Sequence, residues 1–239
     1  VCNVFYALCL IFKTTQAYNP VFVPYSTNPA GNSILLEGLR GTKVIANSGG
    51  DYSTLSEAVT ALNNSGVGPG GVTFLITDGQ TFDEPSLINI TETGIESRLV
   101  IIKQSGTGTK PILKFVGTSA TSDACIKLSG SDYVTIDGLE IRDDNTSSTF
   151  TVEYGIYLLA QTANGCNYNT VKNCIINLYA NNKFTKGVYT YADYSSSLGK
   201  NSYNKFYNNV ITECYIGYHL EGSSYANDEY NEIGTIDGG

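Results

Sequence analysis

The chain has 239 residues, of which 41% are hydrophobic and 15% are charged, and its formal net charge is −8 at pH 7. This composition is typical of one soluble globular domain rather than of a disordered chain. Lysine and arginine together number 14. Because proteins that bind nucleic acid normally present a basic face, we expect no nucleic-acid partner.

Residues 1–17 have the pattern of a secretory signal peptide. An apolar run extends from Val4 to Phe12, and small residues occupy the −3 and −1 positions, Thr15 and Ala17, of a cleavage that we expect after Ala17. A buried strand or helix is the alternative interpretation. The run is shorter than the about 20 residues that cross a bilayer, and no later segment comes close, so we expect no membrane span. The signal peptide predicts a secreted or cell-surface protein.

Residues 18–40 contain Pro20, Pro24 and Pro29 among polar residues, which predicts an extended lead-in. The next feature is a capping box formed by Thr54 and Glu57, which predicts the start of a helix. Apolar residues follow at helical spacing up to the Asn-Asn-Ser-Gly run at residues 63–66. Among many strands, one amphipathic helix can cover the open end of a sheet and its apolar core.

From about residue 124 the sequence repeats itself. Ile136, Val171 and Phe206 are separated by two gaps of 35 residues, and Ile141, Ile176 and Ile211 have the same two gaps. A second series of short strands recurs at 125–128, 155–158, 187–190 and 217–220. Each coil offers about three short strands, too few to enclose a core, so the coils must stack as a solenoid with three parallel sheets. We expect coils about 4.8 Å apart, and the natural protein to continue beyond Gly239.

A sharp corner recurs on the same register at Gly138, Asn173 and Asn208. Glycine and asparagine enter the left-handed backbone region at low cost, which predicts a tight turn between two strands of each coil. We expect the two asparagine amides to bond neighbouring backbone, so that these residues have a structural role.

Two motifs carry a resemblance to a known family. Gly-Ile-Tyr-Leu at 155–158, followed by Tyr-Asn-Thr-Val-Lys-Asn-Cys-Ile-Ile at 168–176, resembles the repeat of the pectin-lyase-like superfamily. Gly41-Thr42, residues 50–59 and residues 72–82 resemble the amino-terminal cap and first coil of β-helix modules in large secreted proteins of the Bacteroidetes. The resemblance spans residues 41–239. It implies an all-β, right-handed parallel β-helix with an N-terminal capping helix.

Chemistry-bearing motifs are scarce. Once the signal peptide is removed, four cysteines remain at 125, 166, 174 and 214, either paired as disulfides or buried as small hydrophobes. No Cys-x-x-Cys motif and no histidine pair occur, so we expect no metal site and no cofactor. Asp143-Asp144 is the one adjacent pair of aspartates. Neighbours on a strand face opposite sides, so adjacency does not make a catalytic dyad, and no catalytic residue is assigned.

A binding face is predicted on the strands of the second series. If the residues at 126, 128, 156, 158, 188, 218 and 220 face inward, alternation turns Lys127, Tyr157, Tyr189 and His219 outward in one row. Tyr191 and Glu221 have the same phase and widen that row. In the resembled superfamily this sheet forms the substrate groove, which implies a polysaccharide or surface glycan as partner. The alternative is that tyrosine on these strands reflects strand propensity alone.

These expectations describe a secreted or cell-surface β-helix module that is a stalk or a carbohydrate-contacting part of a larger adhesin-like protein. The alternative is a polysaccharide lyase or glycoside hydrolase of the same fold, since the superfamily contains both kinds of protein. Fold alone cannot decide between them. The signatures of pectate lyases and polygalacturonases are not found in the sequence, and they could lie beyond Gly239.

Overall fold

A computed structural model describes residues 25–27, 33–35, 38–85, 87–118, 122–145, 151–179, 181–193 and 195–235. The predicted signal peptide lies outside the described residues. The chain divides into two compact units, Val1–Leu36 and Glu37–Gly239. In the first unit, β1 (Tyr25–Thr27) pairs antiparallel with β2 (Ser33–Leu35), within the stretch predicted as an extended lead-in.

The second unit alternates short strands with turns, and its one described helix, α1 (Leu55–Ser65), lies between the first two strands. The strands are β3 (Leu39–Ile45), β4 (Val67–Ile76), β5 (Thr81–Asp83), β6 (Ile88–Ile90), β7 (Val100–Gln104), β8 (Ile112–Phe115), β9 (Ala124–Ser129), β10 (Val134–Asp137), β11 (Glu140–Asp143), β12 (Tyr154–Leu159), β13 (Thr170–Lys172), β14 (Ile175–Asn177), β15 (Lys186–Tyr191), β16 (Lys205–Tyr207), β17 (Val210–Thr212), β18 (Ile216–Glu221) and β19 (Glu232–Gly234).

Three parallel sheets run along the unit. Sheet 1 has the strand order β19-β16-β13-β10-β7-β4-β3, sheet 2 has β17-β14-β11-β8-β5, and sheet 3 has β18-β15-β12-β9-β6. From β4 onward, successive strands go to successive sheets, and each strand pairs in parallel with a strand of a neighbouring coil. The result is a right-handed β-helix of about six turns, which confirms the predicted fold class.

The apolar rows predicted from the repeat lie inside the solenoid. Ile136 pairs in register with Val171, and Val171 pairs with Phe206, and all three are at most 1% exposed. Ile141 and Ile176 are fully buried in the adjacent sheet, and Ile211 is half-buried against the same core. Burying these side chains stabilises the fold by about 1.5–3 kcal/mol each, and they pack only because the coils stack.

Helix α1 covers one end of the core, as predicted. The Thr54 hydroxyl accepts a hydrogen bond from the Glu57 backbone N–H, and the Glu57 carboxylate accepts one from the Ser53 N–H. The apolar face of the helix belongs to the core cluster. Glu84 adds a contact that the sequence did not indicate, because its buried carboxylate accepts from the N–H groups of Leu55 and Ser56 at 2.9 Å each. In the described part of the chain no helix is long and apolar enough to cross a membrane.

The corner between sheets 1 and 2 has the predicted backbone and a different set of hydrogen bonds. Gly138, Asn173 and Asn208 have φ of 77°, 54° and 53°, all left-handed. The prediction that the amides bond backbone was wrong. Asn173 donates to the Asp137 carboxylate at 2.7 Å, and Asn208 donates to the Asn173 side-chain oxygen at 3.3 Å, so the amides link side chains of neighbouring coils.

A ladder of asparagines that do bond backbone lies at the corner between sheets 3 and 1. Asn169, Asn204 and Asn231 occupy equivalent places in three coils, and the first two are fully buried. The side-chain oxygen of each accepts from a backbone N–H of the preceding coil, at 2.9–3.0 Å. Each amide also donates to a backbone carbonyl of that coil, at 2.8–2.9 Å. The ladder therefore satisfies corner backbone groups that the sheets leave unpaired.

The four cysteines of the β-helix are free thiols, and three of them are buried. The Cys166 thiol donates to the Leu128 carbonyl at 3.3 Å, and the Cys174 thiol to the Lys172 carbonyl at 3.2 Å. Burial raises the pKa of Cys166 to about 12 and that of Cys174 to about 11. These residues therefore behave as the small buried hydrophobes of the second interpretation, and not as disulfide partners.

Candidate functional site

The residues predicted to form a binding row lie side by side on the outward side of sheet 3. Lys127 pairs in register with Tyr157, Tyr157 with Tyr189, and Tyr189 with His219. Tyr191 pairs with Glu221 two residues further along the strands. The structure therefore brings all six predicted residues together on one face, which we call the outer face. Inward-facing residues of the same strands belong to the core or pack against it, as alternation requires.

A backbone irregularity adds Tyr154 and Lys186 to the outer face. A Cβ on Gly155 would lie 2.4 Å from the Ile176 side chain, so Gly155 faces the core, as does its neighbour Ile156. Two consecutive inward positions turn Tyr154 outward, where its ring centroid is 4.9 Å from that of Tyr157. Strict alternation from Ile156 would have placed Tyr154 inside. The glycine at the start of the Gly-Ile-Tyr-Leu motif was the sequence signal that could have revealed this irregularity.

The aromatic rings of the outer face pack on one another. The rings of Tyr157 and Tyr189 are stacked, with centroids 5.0 Å apart and planes 10° apart, and His219 lies 5.1 Å from Tyr189 on its other side. Tyr154 is tilted against both tyrosines. As a result Tyr157 and Tyr189 are only 9% and 7% exposed. Their ring faces are covered, although both residues point away from the core.

Charged groups surround this aromatic cluster. The ammonium group of Lys186 lies 4.3 Å from the centroid of Tyr189 and 4.7 Å from that of Tyr154, which is cation–π geometry. Burial lowers the pKa of Lys186. The Tyr189 hydroxyl donates to the Glu221 carboxylate at 2.7 Å, and burial together with that carboxylate raises the pKa of Tyr189. The hydroxyl therefore stays protonated and acts as a donor.

The groups that reach solvent lie at the edges of the cluster. The side chains of His219 and Glu221 are 39% and 31% exposed, and the imidazole Nε2 lies 3.8 Å from the carboxylate. The imidazole Nδ1 is covered and has no hydrogen-bond partner. Lys127 and Tyr191 are half-buried. The outer face thus offers an ammonium group, an imidazole, a carboxylate and phenol edges, all of which can bond to hydroxyl groups of a ligand.

The aspartates at 143 and 144 perform separate structural tasks. The Asp143 carboxylate accepts from the backbone N–H groups of Val152 and Asn145, at 3.0 and 3.1 Å. Asp144 forms an ion pair with Lys114 at 2.6 Å. They therefore do not form the facing pair that glycoside hydrolysis uses. Within the described ranges, no three His, Cys, Asp or Glu side chains converge in a way that could hold a metal ion.

A second aromatic row was missed in the sequence. Tyr133, Tyr168, Tyr203 and Tyr230 stack at the corner between sheets 3 and 1, with successive centroids 4.9 Å apart. We call this row the tyrosine column. Its spacing of 35, 35 and 27 residues, directly before the buried asparagine ladder in three of the four coils, was the available signal. It was overlooked because these residues belong to a turn and lack the alternation of a strand.

No family model and no curated protein matches this chain. The β-helix fold is established by the coordinates, whereas the pectin-lyase-like superfamily and a Bacteroidetes origin remain expectations from the motifs. Because one fold can serve many functions, the chemistry of the outer face is the basis for inferring the function of this chain.

Proposed function

We propose that this protein is a secreted or cell-surface β-helix module that contacts polysaccharide through the outer face, as part of a larger adhesin-like protein. One observation carries the proposal: Lys127, Tyr157, Tyr189 and His219 form a continuous in-register row across four coils. A row with one side chain per coil repeats at the strand spacing of about 4.8 Å. Such a row suits a linear ligand that lies along the solenoid axis.

The covered rings refine the kind of contact that the row can make. Because Tyr157 and Tyr189 stack on each other, their faces cannot receive a sugar ring. Binding would instead use the edges of the cluster, where Glu221, His219 and Lys127 present donors and acceptors to sugar hydroxyls. The stacked rings hold these groups in place, which lowers the entropy lost on binding. This division of tasks favours hydrogen bonding over stacking as the means of recognition.

We propose binding of polysaccharide and no catalytic activity for the outer face. A polysaccharide lyase or glycoside hydrolase would need a catalytic group at the outer face, and Glu221 is the acid located there. Its carboxylate is bonded to the Tyr189 hydroxyl, and the second acid that hydrolysis requires is not among the residues of this face. No observation on the described residues favours the enzymatic function over binding.

The test is affinity gel electrophoresis of the purified chain in gels that contain different plant, algal and bacterial polysaccharides. We expect retardation by at least one acidic or neutral polysaccharide. The Glu221→Gln, His219→Ala double variant should lose most of it, because it removes the carboxylate charge and the imidazole of that edge and leaves the core intact. The Tyr157→Ala, Tyr189→Ala variant should lose it as well, because the support of that edge is gone.

The matched control is the Tyr168→Phe, Tyr203→Phe variant, which alters the same residue type on another side of the solenoid. It should be retarded as strongly as the wild type. Thermal unfolding of every variant separates a lost site from a lost fold. Equal retardation of the wild type and both outer-face variants would place any binding site elsewhere, and absence of retardation by every polysaccharide would end the proposal.

A further inference from the structure

The tyrosine column combines close stacking with exposure to solvent. Its three neighbouring pairs have ring planes 13°, 7° and 16° apart. Tyr168, Tyr203 and Tyr230 are 46%, 37% and 68% exposed. The spacing of 4.9 Å equals the distance between adjacent strands, so the register of the solenoid itself sets the stack.

The backbone makes tyrosine an unexpected residue at these corners. All four tyrosines have left-handed φ, between 54° and 60°. Such a conformation is unfavourable by about 1–2 kcal/mol for most residues, and glycine or asparagine adopts it more readily. The corner between sheets 1 and 2 uses those residues at Gly138, Asn173 and Asn208. The left-handed turn alone therefore does not explain why tyrosine occupies this position in all four coils.

The outer face contains a matched pair with the opposite exposure. Tyr157 and Tyr189 are stacked at 5.0 Å and 10°, which is nearly the geometry of Tyr168 and Tyr203 at 4.9 Å and 7°. The outer-face pair is less than a tenth exposed, and the Tyr189 hydroxyl is engaged by Glu221. The chain therefore contains two stacks of similar geometry, of which the tyrosine column is accessible to an oxidant in solvent and the outer-face pair is not.

We propose that the tyrosine column is a site of oxidative cross-linking, at which neighbouring phenols couple to form dityrosine. The oxidant is hydrogen peroxide acting through a haem peroxidase. Each of two phenols loses one electron and one proton, the two phenoxyl radicals form a carbon–carbon bond between ortho positions, and the ring hydrogens then shift to restore the phenols. The balance is one peroxide reduced to two waters for each dityrosine formed.

Such a bond would join consecutive coils covalently. A link between Tyr168 and Tyr203 closes a loop of 35 residues, and a link between Tyr203 and Tyr230 closes one of 27. A cross-link that closes a loop restricts the unfolded chain and stabilises the fold. The column lies on a different corner from the outer face, so this inference is independent of polysaccharide binding.

The experiment treats the dilute chain with a haem peroxidase and hydrogen peroxide, followed by isolation of the monomer and trypsin digestion. Cleavage after lysine and arginine places the four tyrosines in separate peptides, at residues 128–142, 143–172, 201–205 and 206–239. We expect monomeric protein with dityrosine fluorescence and a linked pair of 143–172 with 201–205. The midpoint of thermal unfolding should rise by roughly 5 to 10 °C.

Two conservative variants make the result decisive. Tyr203→Phe keeps the ring and should abolish every link to 201–205. Tyr189→Phe should leave the yield unchanged, because the outer-face pair is covered, and no link of 143–172 with 187–200 should form in the wild type. Free tyrosine in the same reaction confirms that the oxidant works. The proposal is overturned if free tyrosine couples and the column does not, or if the products are only linked dimers.

Discussion

The two corners that flank sheet 1 have the same left-handed backbone conformation, but they differ in residue type and in side-chain contacts. At the corner before the strands, Tyr133, Tyr168, Tyr203 and Tyr230 are left-handed, and the ladder of Asn169, Asn204 and Asn231 lies directly inside them. At the corner after the strands, Gly138, Asn173 and Asn208 are left-handed, and the side-chain contacts of the two asparagines lie nearer the surface. We call these the aromatic corner and the amide corner.

The two corners differ in how their buried backbone N–H and carbonyl groups are paired. At the aromatic corner, the asparagine ladder supplies partners to buried backbone groups in successive coils. At the amide corner, one residue serves that purpose: the Asn209 oxygen accepts from the Cys174 N–H at 3.0 Å, and its amide donates to the Val171 carbonyl at 2.8 Å. The two corners show separate roles: a left-handed residue sets the direction in which the chain turns, whereas a buried asparagine amide holds one coil to the next by hydrogen bonds.

The largest effect is expected from Asn204→Leu at the aromatic corner. This change leaves the Asn169 N–H and the Cys166 carbonyl buried without their partners. Each unpaired buried group costs about 1–3 kcal/mol, so the free energy of unfolding should fall by about 2–6 kcal/mol. Urea denaturation followed by circular dichroism measures the loss. A loss below that of Asn208→Leu would contradict the comparison.

A smaller effect is expected from Asn173→Leu at the amide corner. Leucine in the left-handed region is unfavourable by about 1–2 kcal/mol, and the contact with Asp137 at the edge of the turn is lost too. Asn173→Gly is the matched control, since glycine adopts this backbone without strain and should keep most of the stability. Thermal unfolding of the pair checks this, and an unchanged midpoint in the leucine variant would refute the predicted role of the turn.

Substitutions of Tyr168 separate stacking from backbone strain. Tyr168→Ala removes ring contacts with Tyr133 and Tyr203 and should destabilise the protein by about 1 kcal/mol. Tyr168→Gly removes the same contacts and also relieves the left-handed φ of 58°. The glycine variant should therefore be the more stable of the two by urea denaturation. The reverse order would mean that the corner is not strained.

The smallest effect concerns pH. Burial raises the pKa of Asp132 and of Asp228, both near the aromatic corner, to about 6 from an ordinary 3.8. A carboxyl group whose folded pKa is raised contributes stability below about pH 4 that is lost as the pH rises through about 6. The free energy of unfolding should therefore be greater at pH 5 than at pH 7.5. Because both groups are partly solvated, we expect no more than about 1 kcal/mol from each.

The control for the pH effect is Asp132→Asn, which keeps the oxygen that accepts from the Asn167 N–H. Its unfolding free energy should depend less on pH between 5 and 7.5 than that of the wild type. Glu84, Asp143 and Glu153 also have pKa values raised by burial, so part of the slope should remain. An identical slope in the two proteins would show that Asp132 does not titrate in this range.

The sequence by itself determined the coils, their register and the capping helix. Ile136, Val171 and Phe206 could be assigned to one inward row because a strand alternates faces every residue and the period repeats at 35. Thr54 and Glu57 marked the helix start because a capping box is a local arrangement of backbone and side chain. Alternation and capping depend on neighbours in the chain, and the coil register is visible as a repeated period, so patterns in the chain reveal these features.

Only the tertiary structure decided which polar and aromatic side chains meet, and how exposed they are. The row on sheet 3 was predicted, but the covering of Tyr157 by Tyr154 and Tyr189 depends on two consecutive inward positions in the strand and on a ring from the next coil. The partners of Asn173 and Asn204 likewise lie about 35 residues away. Burial and hydrogen bonding across coils are settled when the coils pack, since each group then takes whichever partner the neighbouring turn presents.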